Sequence, residues 1–320
     1  MHPTTIQTDT DFNTEALKVF GHQFENNPIY RSFCDLLYVH PSDVSCVTQI
    51  PFLPIQFFKS HRVLTGNPEI STVFTSSGTG GKPSQHFVSH LEDYERSFRT
   101  NFENNYGAVS DYVVLGLLPS YLERSGSSLV YMVHDFIQQS SHSQSGFYLD
   151  NQQELFDLLT ALEQRGQKTL LIGVSFALLD FVERFQMNLQ HTIVMETGGM
   201  KGRRKELIRA ELHSRLKKGF GTNHIHSEYG MTELFSQAYS QGEGLFECPK
   251  WMKVLVRNTE NPLEVNQIGS GGLNIIDLAN HNSCAFLATQ DLGTVFESGV
   301  FTVNGRFDHS DVRGCNLMVN

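Results

Sequence analysis

Between Thr72 and Gly219 the chain alternates short, unbroken apolar runs with amphipathic stretches, and that rhythm limits the folds open to it. Tyr112–Leu118 and Thr169–Val174 are continuous rather than alternating, the pattern of strands buried on both faces, and Thr192–Met195 is a shorter run of the same kind. Val73–Phe74 leads as a strand into a Ser/Gly/Thr loop. A helix is expected from near Ser89, which with Glu92 has the spacing of a capping box, to just before Gly107. A second is expected over Phe176–Phe185. A third over Arg203–Lys218 has basic residues in its last turn and Gly219 at its end. Upstream, Phe12 to Phe24 has helical spacing, and Pro51 and Pro54 favour an extended path. Strands alternating with helices imply an α/β fold, a mostly parallel sheet covered on both faces. After about Gly244 short runs (Lys253–Val256, Gly272–Asp277, Ala285–Leu287, Val300–Val303) stand between Gly/Asn turns, as in a smaller β-rich subdomain. With no linker between them, the expectation is one core domain over 1–320, an α/β part at 1–243 and a β-rich part with a C-terminal tail at 244–320.

Composition removes several classes of function. A net charge of -10 argues against general nucleic-acid binding, which needs clustered Lys and Arg to neutralise phosphates. An anionic ligand then requires a locally positive site or convergent backbone N–H groups. Five widely spaced cysteines do not suggest a disulfide framework. The first residues have neither a basic nor an apolar signal region, and no apolar run reaches the length of a membrane span. A reducing cytoplasm is the expected location.

The segment Phe74-Thr75-Ser76-Ser77-Gly78-Thr79-Gly80-Gly81-Lys82-Pro83 interleaves hydroxyls, flexible backbone N–H groups and a closing lysine. Glycines let such N–H groups converge on polyphosphate oxygens. It is not a Walker A loop: Ser76 stands where that pattern needs glycine, and Pro83 where it needs Ser or Thr. Three segments follow in order: Ser227-Glu228-Tyr229-Gly230-Met231-Thr232-Glu233 after a short strand expected at Asn223–His226, Thr289-Gln290-Asp291-Leu292-Gly293, and Gly305-Arg306-Phe307-Asp308. His224, His226 and Glu228 alternate, so on a strand they share a face. That permits a zinc site, although 14 histidines make chance clusters expected, and the plainer reading is that they flank a pocket.

In these four segments the chain resembles the acyl-adenylate-forming superfamily of acyl-CoA synthetases, luciferases and peptide-synthetase adenylation domains, with two departures: Lys82 precedes Pro83, and Gln290 replaces a glycine. Ile50-Pro51-Phe52-Leu53-Pro54 with Phe58-Lys59, and the tail Asp311-Val312-Arg313-Gly314-Cys315-Asn316-Leu317, are similar to the acyl-protein synthetase (LuxE) family within it. The resemblance implies the N-terminal core of an adenylate-forming enzyme, parallel sheets covered by helices plus the β-rich subdomain. Too few residues follow Arg306 for the family's lid of about a hundred residues, so the expectation is that the C-terminal lid domain is absent.

The resemblance also implies ATP and Mg²⁺. Ser76, Ser77, Gly78, Thr79, Gly80 and Lys82 would hold the β- and γ-phosphates, Thr232 would donate to the α-phosphate, and Glu233 would bind Mg²⁺, a hard cation suited to carboxylate oxygens. Tyr229, followed by Gly230, would stack on adenine, with Gly198 and Gly199 admitting the ring. Asp291 would accept from the ribose hydroxyls and Arg306 would donate to the ribose or phosphate edge. Cys315 matches the family's acyl-accepting cysteine, a nucleophile toward the acyl-adenylate whose thiolate fraction Arg313 would raise. The acyl pocket is open in sequence, with Leu117, Leu118, Tyr121, Val130, Tyr131 and Phe136 as candidates. The implied partners are a carboxylic acid substrate, fatty by resemblance, and an acyl-accepting protein such as an acyl reductase or carrier protein. Two alternatives stand beside the acyl-protein synthetase: an acyl- or aryl-CoA ligase with CoA or a carrier protein as acceptor, and a non-catalytic assembly protein.

Overall fold

The computed structural model describes residues 6, 8–76, 82–118, 126–148, 151–198 and 207–307. In chain order the elements are α1 (Asp9–Asn26), α2 (Pro28–Leu36), β1 (Leu53–Pro54), α3 (Phe57–Ser60), β2 (Thr72–Thr75), β3 (Gln85–Val88), α4 (Leu91–Tyr106), β4 (Val113–Leu117), α5 (Ser128–Gln139), β5 (Gly146–Phe147), α6 (Gln152–Gln164), β6 (Thr169–Val174), α7 (Ser175–Arg184), β7 (Thr192–Thr197), α8 (Arg209–Phe220), β8 (His226–Tyr229), β9 (Ala238–Ser240), β10 (Met252–Arg257), β11 (Val265–Asn266), β12 (Gly269–Asp277), β13 (Phe286–Val295) and β14 (Phe301–Arg306).

The continuous apolar runs form the centre of a six-stranded sheet ordered β5-β4-β6-β7-β8-β9, parallel except for the last pair. Every residue of β4 and β6 is buried, so both faces of the sheet are covered, as unbroken hydrophobicity requires. A second sheet, β1-β13-β12-β10-β11 with β14 on β13, is antiparallel apart from β1, which lies parallel to β13. β2 and β3 form a separate antiparallel hairpin. These features are the mixed α/β architecture of an adenylate-forming N-terminal core.

Several boundaries differ from expectation. α4 is capped by His90 without a side-chain bond, so the Ser89 box does not form; Ser89 Oγ meets His90 Nδ1 instead. α8 runs through Gly219 to Phe220, and Gly221, at φ +64°, is its left-handed cap. Gly219 is kept small because a Cβ there would overlap the side chain of Val182 on α7. The strand expected at Asn223–His226 begins only at His226 and carries Glu228 and Tyr229 within it. Thr289–Gly293 is likewise mid-strand rather than a turn, because β13 continues to Val295.

α1 and α2 dock on the second sheet through an aromatic cluster of Phe20, Tyr30, Phe52 and Phe286. Buried Gln23 spans the joint, donating to the carbonyls of Asn280 and His281 and accepting from Ala285 N. Among the described residues no helix is long and apolar enough to cross a membrane.

Candidate active site

The candidate residues gather where β7 and β8 end, beside the tip of the β2–β3 hairpin and the paired ends of β13 and β14. Carboxyl ends of parallel strands are the usual ligand-binding edge of an α/β sheet. The hairpin brings Ser76 opposite Ser84: Ser76 Oγ accepts from Ser84 N at 2.8 Å, and Ser76 N donates to Ser84 O at 3.1 Å. Lys82 is exposed at the hairpin tip. Ser77, Gly78, Thr79 and Gly80 lie outside the described residues, as do Gly199, Tyr121 and Cys315.

One turn of chain links the hairpin to the Tyr229–Glu233 segment. His86, fully buried on β3, meets the Thr232 carbonyl through Nδ1 at 2.8 Å. A carbonyl only accepts, so Nδ1 bears the proton. Burial lowers the His86 pKa to about 4, leaving the ring neutral. Beside it, the Glu233 carboxyl is 5% exposed. Burial pushes its pKa up, against the lowering effect of a hydrogen bond from Ser84, its own backbone N–H, and the charges of Arg306 and Lys59. Asn280 Nδ2 holds the Glu233 carbonyl at 2.9 Å, and Asp277 accepts from the N–H groups of Phe235 and Ser236. The loop after β8 is therefore tied to both sheets and to the hairpin.

Tyr229, Asp291 and Arg306 form a second group. Tyr229 Oη donates to Asp291 Oδ2 at 2.7 Å, and Arg306 Nε donates to Asp291 Oδ1 at 2.8 Å. β13 and β14 set this in register, with Asp291 directly opposite Arg306. Burial, then the adjacent Asp291 charge, raises the Tyr229 pKa, so the phenol keeps its proton. Asp291 raises that of Arg306. The Tyr229 ring packs against Phe246 and Phe301. Since Arg306 acts on Glu233 as well as Asp291, the hairpin tip, the Thr232–Glu233 loop and the Asp291–Arg306 pair face one region.

Gly198 ends β7 at φ +66°, its carbonyl accepting from Ser175 Oγ at 2.9 Å. Gly230 is exposed, and a side chain there would strike the Glu228 carboxylate. Glu228 takes a hydrogen bond from Thr197, and burial, with Glu196 nearby, lifts its pKa to about 7. Among the described residues no group of three or more His, Cys, Asp or Glu is arranged to hold a metal. His224 precedes β8 and lies exposed, while His226 contacts Tyr106 Oη at 3.3 Å. Of the acyl-pocket candidates, Leu117, Leu118 and Phe136 are fully buried core residues.

Ser84, His86 and Asn280 were not singled out from sequence. His86 had one signal, an inward position in the alternating strand Gln85–Val88. Asn280 had none, because its role depends on a loop brought from the other sheet.

Residues 5–104 match the family described as acyl-protein synthetase, LuxE. A long-chain-fatty-acid–luciferin-component ligase of Photorhabdus luminescens is 39% identical over 71 residues, 22% of this chain and 60% of that protein. In fold, the chain is similar to an ATP-bound RpMatB-BxBclM chimera (TM-score 0.58, 17% identity, 75% of this chain and 48% of that one). It is similar also to O-succinylbenzoate coenzyme A synthetase (MenE) from Bacillus subtilis in complex with ATP and magnesium ion (TM-score 0.52, 17% identity, 74% of this chain and 50% of that one). The chain thus spans about half the length of these solved structures. Residues 5–104 are of the acyl-protein synthetase, LuxE, family, on a chain whose fold is that of the adenylate-forming enzymes.

Proposed function

We propose that this chain is an ATP-dependent acid–thiol ligase acting as one core over residues 1–320. It activates a carboxylic acid of the fatty-acid class as its acyl-adenylate, transfers the acyl group to Cys315, and passes it to a partner such as an acyl reductase or carrier protein. The observation that carries this reading is the convergence of Ser76, Ser84 and Glu233 with Tyr229, Asp291 and Arg306, one hydroxyl-lined hairpin and two carboxylates around a single region. The family match and the relative named for a long-chain fatty acid support the substrate class.

In the first step a substrate carboxylate oxygen attacks the α-phosphorus of ATP, the bond to the bridging oxygen breaks, and pyrophosphate leaves. In the second, the Cys315 thiolate attacks the acyl carbon and AMP departs. Positioning and charge stabilisation dominate such transfers. The hairpin, with Ser77, Gly78, Thr79, Gly80 and Lys82, receives the β- and γ-phosphates. Thr232, its peptide fixed by His86, addresses the α-phosphate. Tyr229, Gly198, Gly199 and Gly230 frame the adenine, and Asp291 with Arg306 the ribose. The buried carboxyl of Glu233, only partly offset by its hydrogen bonds, suits a hard divalent cation. Mg²⁺ would supply charge neutralisation of the phosphates there. A cytoplasmic site of action goes with this chemistry, which needs ATP and a free thiol.

The test is intact-protein mass spectrometry after incubation with ATP, Mg²⁺ and a mixture of carboxylic acids. An acyl adduct is expected, and its mass names the acid. Cys315→Ser removes the adduct while carboxylate-dependent pyrophosphate exchange continues. No exchange with any acid sinks the adenylation reading, and an undiminished hydroxylamine-labile adduct in the variant sinks the cysteine assignment.

A further inference from the structure

Lys59 belongs to a segment that the roles above leave unused. β1 pairs with β13 at Leu287 and Ala288, and Ile55 N donates to Ala288 O at 3.0 Å, which fixes the start of α3 to the strand that bears Asp291. Phe58 is buried, its ring edge-on to His86 at 5.6 Å, and Phe235 packs on His86 at 5.2 Å. His86 in turn holds the Thr232 carbonyl. With Phe58 pinned inward on this stack, the next residue of the turn points another way. Lys59 is only partly exposed, and its charge reaches the Glu233 carboxyl.

Among the described residues Lys59 closes no ion pair, so its ammonium is held near a buried carboxylate without being consumed by it. A protein of net charge -10 must gather cations locally to hold a polyanion. Arg306 acts on Glu233 from β14 and Lys59 from α3, on the opposite side of β13 in sequence terms, so the site is provided with positive charge from two elements.

We propose that Lys59 is a further catalytic residue, whose ammonium contacts the polyphosphate of ATP at Glu233 and neutralises the charge that develops as the bond to pyrophosphate breaks. This rests on the adenylation reading above. No proton is transferred: the lysine remains protonated and acts as a fixed cation.

The test compares wild type, Lys59→Met and Lys59→Arg in carboxylate-dependent pyrophosphate exchange, with ATP KM and kcat separated and thermal melting recorded. Removing a preorganised transition-state contact costs roughly 100-fold in rate. The expected result is a loss of that order in kcat for K59M, a much smaller change in KM, an unchanged Tm, and partial recovery in K59R. Exchange by K59M within about threefold of wild type overturns the proposal, as does a loss that K59R shares in full or that tracks a lowered Tm. Absence of exchange in the wild type would instead refute the adenylation reading itself.

Discussion

Glu228 shows how a single buried acid sets the behaviour of its surroundings. Its carboxyl is held by Thr197, lies near Glu196, and has a pKa raised by burial from 4.5 to about 7. The folded state then binds its proton more tightly than the unfolded state does. The contribution to stability is full below pH 4.5 and is lost as pH rises through about 7. Glu228→Gln keeps an oxygen for the Thr197 hydroxyl and removes the charge. It should raise the unfolding free energy by on the order of 3 kcal/mol at pH 8 and leave it nearly unchanged at pH 4.5, measured by urea titration at both. An equal effect at both pH values would show that the charge is not what costs. At this scale the sequence revealed residue types and order: Tyr229, Glu233, Asp291 and Arg306 were each readable. What it did not reveal was pairing. That the Tyr229 hydroxyl donates to Asp291 follows only from the approach of β13 to β8, and Ser84 emerges only when the hairpin closes on Ser76.

Among the elements, those buried on both sides were legible and those defined by partners were not. Thr169–Val174 is a strand at the expected residues because an unbroken apolar run has one economical place, the middle of a covered sheet. The end of α8 was misplaced by two residues because two glycines lie there, Gly219 and Gly221, and only packing against α7 tells which one is the cap. Gly219→Ala tests that division. Helix propensity favours alanine by about 1 kcal/mol, but the added methyl would strike Val182, and overpacking costs about 1–3 kcal/mol. The substitution should therefore lower Tm by a few degrees; a rise would mean that α7 yields without strain. β13 was cut short in the reading because Thr289–Gly293 has the composition of a turn. Its pairing on both sides, to β12 and β14, overrides that preference.

For the whole molecule, the decisive joint is between α1 and the second sheet. Gln23 is fully buried and satisfies two carbonyls and one N–H from the loop between β12 and β13. Gln23→Leu leaves those groups unpartnered, at about 1–3 kcal/mol each for the ones that stay dry. The variant should unfold at lower urea in one transition with an unchanged slope, followed by tryptophan fluorescence of Trp251 and by far-UV circular dichroism. Two separated transitions would mean that the two sheets melt independently. None of this was readable from sequence, since no local pattern tells a helix which distant loop it will meet. The same joint bears on biosynthesis. Gln23 awaits a carbonyl 257 positions downstream. At ribosomal speeds of about 5–20 residues per second that is a wait of roughly 10–50 seconds, with the aromatic face of Phe20 and Tyr30 bare. A nascent chain of this design calls for a chaperone to shield that face until translation is nearly done.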